Sequence, residues 1–307
     1  MTQLTTQEVL THIQAGKSLQ QKELSAIDLA GAQLNKGDFS DAYLRRAMLT
    51  NACCQEANFS GATLILASLK SANLQAAQLV NAVLTNADLA QANLQQVQAK
   101  GAKFYSTSLE GATGTAAVLD EADFREANGA RSHFSKASCN STAFNRANFD
   151  GASFEGASLV RAQWHEASLV ASSFVSANLE QAVFDEAQLT SANFSKANAL
   201  NTNFSQANLS QTNFTEAQLD WSNCTETNLS QAQLQRASAY NTNFRMANLT
   251  GADFTGADLR EANFEEAQLT GVSFEGCNVR RAIFTGAAGL SDAQKQWLKD
   301  NHAFNVE

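Results

Sequence analysis

The stretch 263-NFEEAQLTGVSF-274 decides the fold. Its large apolar residues, Phe264, Leu269 and Phe274, stand five apart. Neither an α-helix, with a period of about 3.6, nor a β-strand, with a period of about 2, produces that spacing. Following the same step outward from Leu24 to Phe284 visits 53 positions, of which 43 are Leu or Phe. The exceptions are Cys54, Ala99, Gly114, Gly129, Cys139, Trp164, Ala199, Cys224, Ala239 and Val279, and all but the two glycines are apolar. Two residues before each centre, Ala fills 38 of the 53 places. No insertion shifts the register, so the sequence predicts one continuous repeat domain without an internal linker.

A longer period lies beneath the step of five. Sorting the centres into four columns gives a first column that turns from Leu24, Leu44, Leu64 and Leu84 to Phe104, Phe124 and Phe144. The second column is almost all Leu, broken by Gly129 and Phe149, and the third is Phe-rich from Phe134 to Phe274. The fourth holds Ala99, Cys139, Ala199 and Ala239, a concentration of small residues. Alternation of Phe-rich and Leu-rich columns is a period of ten, and the small residues of the fourth column break it to twenty.

The units "SANLQ", "NADLA", "RANFD", "GADFT" and "EANFE" resemble the pentapeptide-repeat family. The resemblance covers most of the chain. It implies an all-β solenoid: a right-handed, four-sided (quadrilateral) parallel β-helix, with one pentapeptide per side and about 13 coils at the strand spacing. Centres and the Ala sites then face inward. Contacts run only between neighbouring coils, so unfolding is expected to follow nearest-neighbour rules.

Open ends of a repeat array need covering. Around Thr6–Ala15, Thr5 and Glu8 have the spacing of a capping box, with Gly16 as the stop. Ser291 and Gln294 repeat that arrangement near the C-terminus, where Trp297, Leu298 and Phe304 are expected to cover the last coil. The expected organisation is an N-terminal capping helix in 1–18, the β-helix in 19–288 and a C-terminal capping helix in 289–307.

Composition narrows function. The chain has 307 residues, a net charge of −9, five cysteines and no proline. The negative charge disfavours direct nucleic-acid binding. No apolar run approaches the length of a membrane span, and no secretory signal is visible, so a cytoplasmic protein is the expectation. The four histidines, His12, His133, His165 and His302, show no metal-ligand spacing, and Cys54, Cys139 and Cys224 occupy inward centres. The reading is therefore of a chain that is not an enzyme and holds no cofactor or metal.

Surface positions remain. Val160, Leu200, Trp221 and Tyr240 fall on the fourth side, where most exposed residues are polar, and make a candidate partner-binding patch with Glu180, Asp220 and Asn241 as its polar rim. Along the corner after the first side run Glu166, Asp185, Glu186, Glu226, Glu265 and Glu266, a candidate acidic edge opposed by Arg245 alone. The best reading is a rigid protein-binding scaffold or adaptor, its partner another protein or a second copy of the chain. The segment 8-EVLTHIQAGKSLQQKELSAIDLAGAQL-34 resembles the openings of pentapeptide proteins associated with bacterial type VI secretion systems. The alternative is an acidic DNA mimic acting on DNA gyrase or topoisomerase. That reading follows from resemblance to quinolone-resistance pentapeptide proteins, from which this chain departs in having no insertion in the register.

Overall fold

The computed structural model describes residues 4–307. The chain divides into two compact units, Met1–Ala157 and Ser158–Glu307. Both are right-handed, four-sided parallel β-helices built from the five-residue step. In the first unit, parallel bridges join Glu23 to Tyr43 and Tyr43 to Thr63. In the second they join Gln163 to Val183 and Val183 to Asn203. Each of these bridges links residues twenty apart, so four steps make one coil.

Backbone hydrogen bonding explains both the step and the missing prolines. Within each unit the N–H of a typical centre donates forward to the next coil, as Leu24 does to Tyr43 O at 2.8 Å. The residue before a centre donates back, as Tyr43 does to Lys22 O at 2.9 Å. Two residues after a centre the N–H donates forward again, as Ala26 does to Arg45 O at 2.7 Å. The next N–H closes a four-residue turn, as Ile27 does to Leu24 O at 3.2 Å. The fifth N–H turns to a side chain: Ser60 N donates to Asn58 Oδ1 at 3.0 Å, and Ser205 N to Asn203 Oδ1 at 3.1 Å. This Asx-type bond accounts for the Asn, Asp or Ser just before so many centres. A proline, lacking N–H, would break a bond at any of the five positions.

The third residue of each turn is left-handed. Ala26 has φ 56°, Arg161 59° and Trp221 58°. For a non-glycine residue that conformation costs about 1–2 kcal/mol. It persists because the ladder fixes the backbone on both sides of every corner.

Centres and, apart from Ala32, the Ala sites two residues earlier are buried, as the five-step pattern predicts. Phenylalanines twenty apart stack: Phe184 on Phe204 at 5.2 Å, Phe244 on Phe264 at 5.1 Å and Phe264 on Phe284 at 4.9 Å. Phenylalanines ten apart, from opposite sides, meet edge to face, as Phe184 and Phe194 do at 6.0 Å and 90°. Two opposed aromatic stacks fill the cross-section, and the intervening sides take Leu. Where Thr or Ser replaces the inward Ala, its hydroxyl donates to a carbonyl: Thr202 Oγ1 to Leu179 O at 2.9 Å and Ser222 Oγ to Ala199 O at 2.6 Å. Burying a hydroxyl is tolerated at these sites because a backbone acceptor is within reach.

The two glycine centres have a steric cause. A Cβ added at Gly114 would collide with the Phe134 ring, and one at Gly129 with the Phe149 ring. Each phenylalanine sits one coil later and leans over its glycine. Phe149 occupies a column that is otherwise Leu because Gly129 leaves the room.

Helix α1 (Thr6–Gln14) starts at the expected capping box of Thr5 and Glu8, and Thr6 Oγ1 donates to Asp28 O at 2.7 Å. Val9 of this helix is fully buried. Helix α2 (Asp292–Asp300) starts at the box of Ser291 and Gln294, and Gln294 Nε2 donates to Val272 O at 2.8 Å. Leu298 is fully buried, as expected of a cap. Phe304 departs from the expectation, being 49% exposed. Its backbone does the covering instead, bridging Ile283 and accepting from Phe284 N at 3.0 Å, and Val306 is the buried side chain.

Candidate functional site

The sequence-derived patch lies wholly in the second unit. Val160, Leu200 and Tyr240 occupy the position just after a centre and are half-buried, whereas Trp221, two residues after Leu219, stands on the corner and is 51% exposed. The structure brings two of the four into direct contact. Trp221 meets the Tyr240 ring at 5.5 Å and 86°, an edge-to-face pair. Leu200 lies one coil from Trp221 and two from Tyr240, so the three span roughly 10 Å at the strand spacing. Val160 lies two coils from Leu200 and stands apart from the aromatic pair. Asp220, from the expected polar rim, anchors backbone. Its Oδ1 accepts from Tyr240 N at 2.9 Å and from Ser238 Oγ at 2.6 Å, fixing the segment on which Tyr240 is carried.

Sequence reading missed the basic residues that continue this edge. The Arg260 guanidinium lies over the Tyr240 ring at 5.6 Å, and the Tyr240 hydroxyl donates to Glu261 Oε2 at 3.1 Å. That hydrogen bond holds the Tyr240 phenol above its ordinary pKa. Tyr240, Arg260, Glu261, Arg280 and Arg281 line a groove of about 440 Å³. The available signal was the run of positions twenty apart, 240, 260 and 280, which reads Tyr, Arg, Arg.

The acidic edge is interrupted more than its sequence suggests. Arg245 lies 3.7 Å from Glu265 and 3.6 Å from Glu266. His165 Nδ1 is 2.7 Å from Asp185 Oδ2, and Nε2 is 3.3 Å from Glu166 Oε1. Glu226 accepts from Gln206 Nε2 at 3.0 Å. The hydrogen bond to Asp185 raises the His165 pKa, aided by the charges of Asp185, Glu166 and Glu186 and opposed by partial burial. His165, Asp185 and Glu186 also place one ligand-type atom each within 4.8 Å of one another, a grouping the sequence spacing did not suggest. On the corner after the third side Glu216 joins Arg236 at 2.7 Å and Lys196 at 4.0 Å, pairing charges from coil to coil.

Four of the five cysteines, Cys54, Cys139, Cys224 and Cys277, are buried. All five are free, and burial pushes the thiols of Cys54 and Cys224 up to about 12 and that of Cys277 to about 11. A nucleophilic cysteine needs a shift in the opposite direction. No helix among the described residues is long and apolar enough to cross a membrane.

The family follows from the repeat itself. A family model described as pentapeptide repeats matches eight copies over residues 27–64, 67–104, 94–128, 115–151, 147–185 and 247–286. A second, the pentapeptide repeat region, matches 167–244. The chain is a pentapeptide-repeat protein. Similar solved structures include HetL, a pentapeptide-repeat protein involved in heterocyst differentiation regulation from the cyanobacterium Nostoc sp. strain PCC 7120. It is 24% identical, aligned over 92% of this chain and 96% of that one, with a TM-score of 0.36. A trypsin-treated form of QnrB1, a plasmid-mediated fluoroquinolone resistance protein, is 17% identical over 71% of this chain and 94% of that one, with a TM-score of 0.45. A pentapeptide-repeat protein of the Arabidopsis thaliana thylakoid lumen is 28% identical over 37% of this chain and 75% of that one, with a TM-score of 0.16. No curated protein matches the chain in sequence.

Proposed function

We propose that this pentapeptide-repeat protein is a non-catalytic scaffold or adaptor whose protein partner docks on the edge carrying Leu200, Trp221 and Tyr240. One observation carries the reading. Trp221 occupies a left-handed corner, φ 58°, half exposed, at a position that Asn, Gln, Glu and Gly fill on most coils. A bulky side chain gains nothing for folding there, and an aromatic anchor on a rigid surface is what a binding hot spot requires. Edge-on packing against Tyr240 pre-orients the indole, which lowers the entropy lost on docking.

Replacing Leu200, Trp221 and Tyr240 together with Ser tests this: the variant keeps its fold and loses its partner. The resemblance of the N-terminal segment supports a bacterial, cytoplasmic setting beside a type VI secretion system, with a second copy of the chain as the alternative partner. A DNA mimic acting on gyrase rests on the acidic edge. It is the weaker reading, because Arg245 and His165 interrupt that edge with positive charge or hydrogen-bond donors.

A further inference from the structure

The groove beside Tyr240 has a counterpart in the first unit that separates what is structural from what is not. There Tyr105 donates to Glu126 Oε2 at 2.6 Å, Arg125 lies over the Tyr105 ring at 5.9 Å, and Arg125 pairs with Asp123 at 2.7 Å. In the second unit Tyr240 donates to Glu261, Arg260 covers the ring, and Arg260 pairs with Asp258 at 2.6 Å. The same quartet, at the same spacings of eighteen, twenty and twenty-one residues, clips a surface tyrosine in both places. By itself it is a way of seating a phenol on the surface.

The surroundings differ. One coil before the tyrosine, the corner residue is Asn86 in the first unit and Trp221 in the second. One coil after the quartet stand Asn145 and Arg146 in the first unit, Arg280 and Arg281 in the second. The second setting forms the groove of about 440 Å³ that Tyr240, Arg260 and both added arginines line. Its charges do not cancel. Arg260 is matched by Asp258, and Arg281 Nη1 lies 3.1 Å from Glu261 Oε1, but Arg280 has no carboxylate within ion-pair distance among the described residues. A chain of net charge −9 therefore concentrates three guanidinium groups, one of them unmatched, in one groove beside a half-exposed indole.

We propose that this groove binds an acidic segment of the protein partner, a side-chain carboxylate bridging Arg280 and Arg281 while an adjoining apolar residue packs on Trp221 and Tyr240. Guanidinium groups carry five donors in a planar fork that matches a carboxylate in two-point contact. Arg281 retains donors beyond its contact with Glu261, and Arg280 has all of its side-chain donors for the ligand. The dependence of binding on Arg280 and Arg281 assigns it to this groove rather than to other basic surface such as Arg45 and Arg46. The inference rests on the scaffold reading and names the chemistry of its partner.

The test uses the full chain and a fluorescein-labelled hexaglutamate peptide, with hexaserine as reference, followed by fluorescence anisotropy at low ionic strength. Hexaglutamate binds, and Arg280→Gln with Arg281→Gln weakens it about tenfold or more. Arg280→Lys with Arg281→Lys restores part of the loss, because the charge returns without the fork. Arg125→Gln, in the first-unit quartet, leaves binding unchanged. The proposal is overturned if hexaglutamate binds no better than hexaserine, if the double Gln variant binds equally well, if Arg125→Gln weakens binding as much, or if inorganic phosphate binds more tightly than the peptide. Failure here, with partner capture still abolished by the Leu200, Trp221 and Tyr240 variant, removes the acidic class and leaves the scaffold. Peptide binding that depends on Arg280, with partner capture indifferent to that triple variant, removes the scaffold site instead.

Discussion

Replacing Phe204 with Asp is the sharpest test of which way the chain faces. Phe204 is fully buried, stacked on Phe184 at 5.2 Å and edge-on to Phe194 and Phe214 at 5.8 Å each. Truncating such a phenylalanine to Ala typically costs about 3–5 kcal/mol. Asp adds a carboxylate with no cation inside the aromatic stack. An unpaired buried charge costs further, several kcal/mol or protonation of the group. The total approaches the about 5–15 kcal/mol that holds a typical domain together, so the second unit should unfold in buffer or melt at greatly reduced temperature. Ser205, one residue on, points outward from a half-buried position, and Ser205→Asp should stay within about 0.5 kcal/mol of the parent. Urea titration followed by far-ultraviolet circular dichroism measures both. Equal midpoints for the two variants would mean that inside and outside are assigned wrongly.

Other outcomes follow from single contacts. Gly129→Ala should destabilise by about 1–3 kcal/mol through collision with the Phe149 ring, and Phe149→Leu in the same chain should recover most of that. Absence of rescue would show that the glycine has another role. His165 has a raised folded pKa, so its contribution is fully present below the unfolded value and disappears as pH rises through the folded one. The stability difference between the parent and His165→Gln should therefore be larger at about pH 5.5 than at about pH 8.5. It will be small because the pair is about one-third exposed, and a difference that grows with pH would contradict it. Purified protein at micromolar concentration should leave gyrase supercoiling unchanged; inhibition that vanishes when Glu166, Asp185, Glu186, Glu265 and Glu266 are neutralised would establish the DNA-mimic reading instead.

The repeat is legible in the sequence because burial recurs at a fixed step: Phe264, Leu269 and Phe274 each lie inside, and the period of twenty separates the columns without any distance information. Both helices are legible for a local reason, since Thr5 with Glu8 and Ser291 with Gln294 encode their own capping. The exposure of Phe304 is not, because it depends on how the backbone after α2 joins the ladder, which no local pattern encodes. Gly114 and Gly129 stand as bare exceptions in the sequence, and only the structure shows Phe134 and Phe149, twenty residues later, leaning over them. In the candidate site, Leu200, Trp221 and Tyr240 stand out by being apolar where neighbours are polar. Arg260, Arg280 and Arg281 do not, because charged residues are ordinary on a surface and only their clustering around one tyrosine distinguishes them.

Affinity capture from extract of the source organism, quantified by mass spectrometry, tests the scaffold most directly. The parent is compared with the variant carrying Leu200→Ser, Trp221→Ser and Tyr240→Ser, and with one neutralised at Glu265 and Glu266. None of the patch side chains faces the core, so the triple variant should melt within about 4 °C of the parent. The account predicts that a protein enriched by the parent is lost with the triple variant and kept by the acidic-edge variant. Retention of that protein by the triple variant, at unchanged melting temperature, would contradict it.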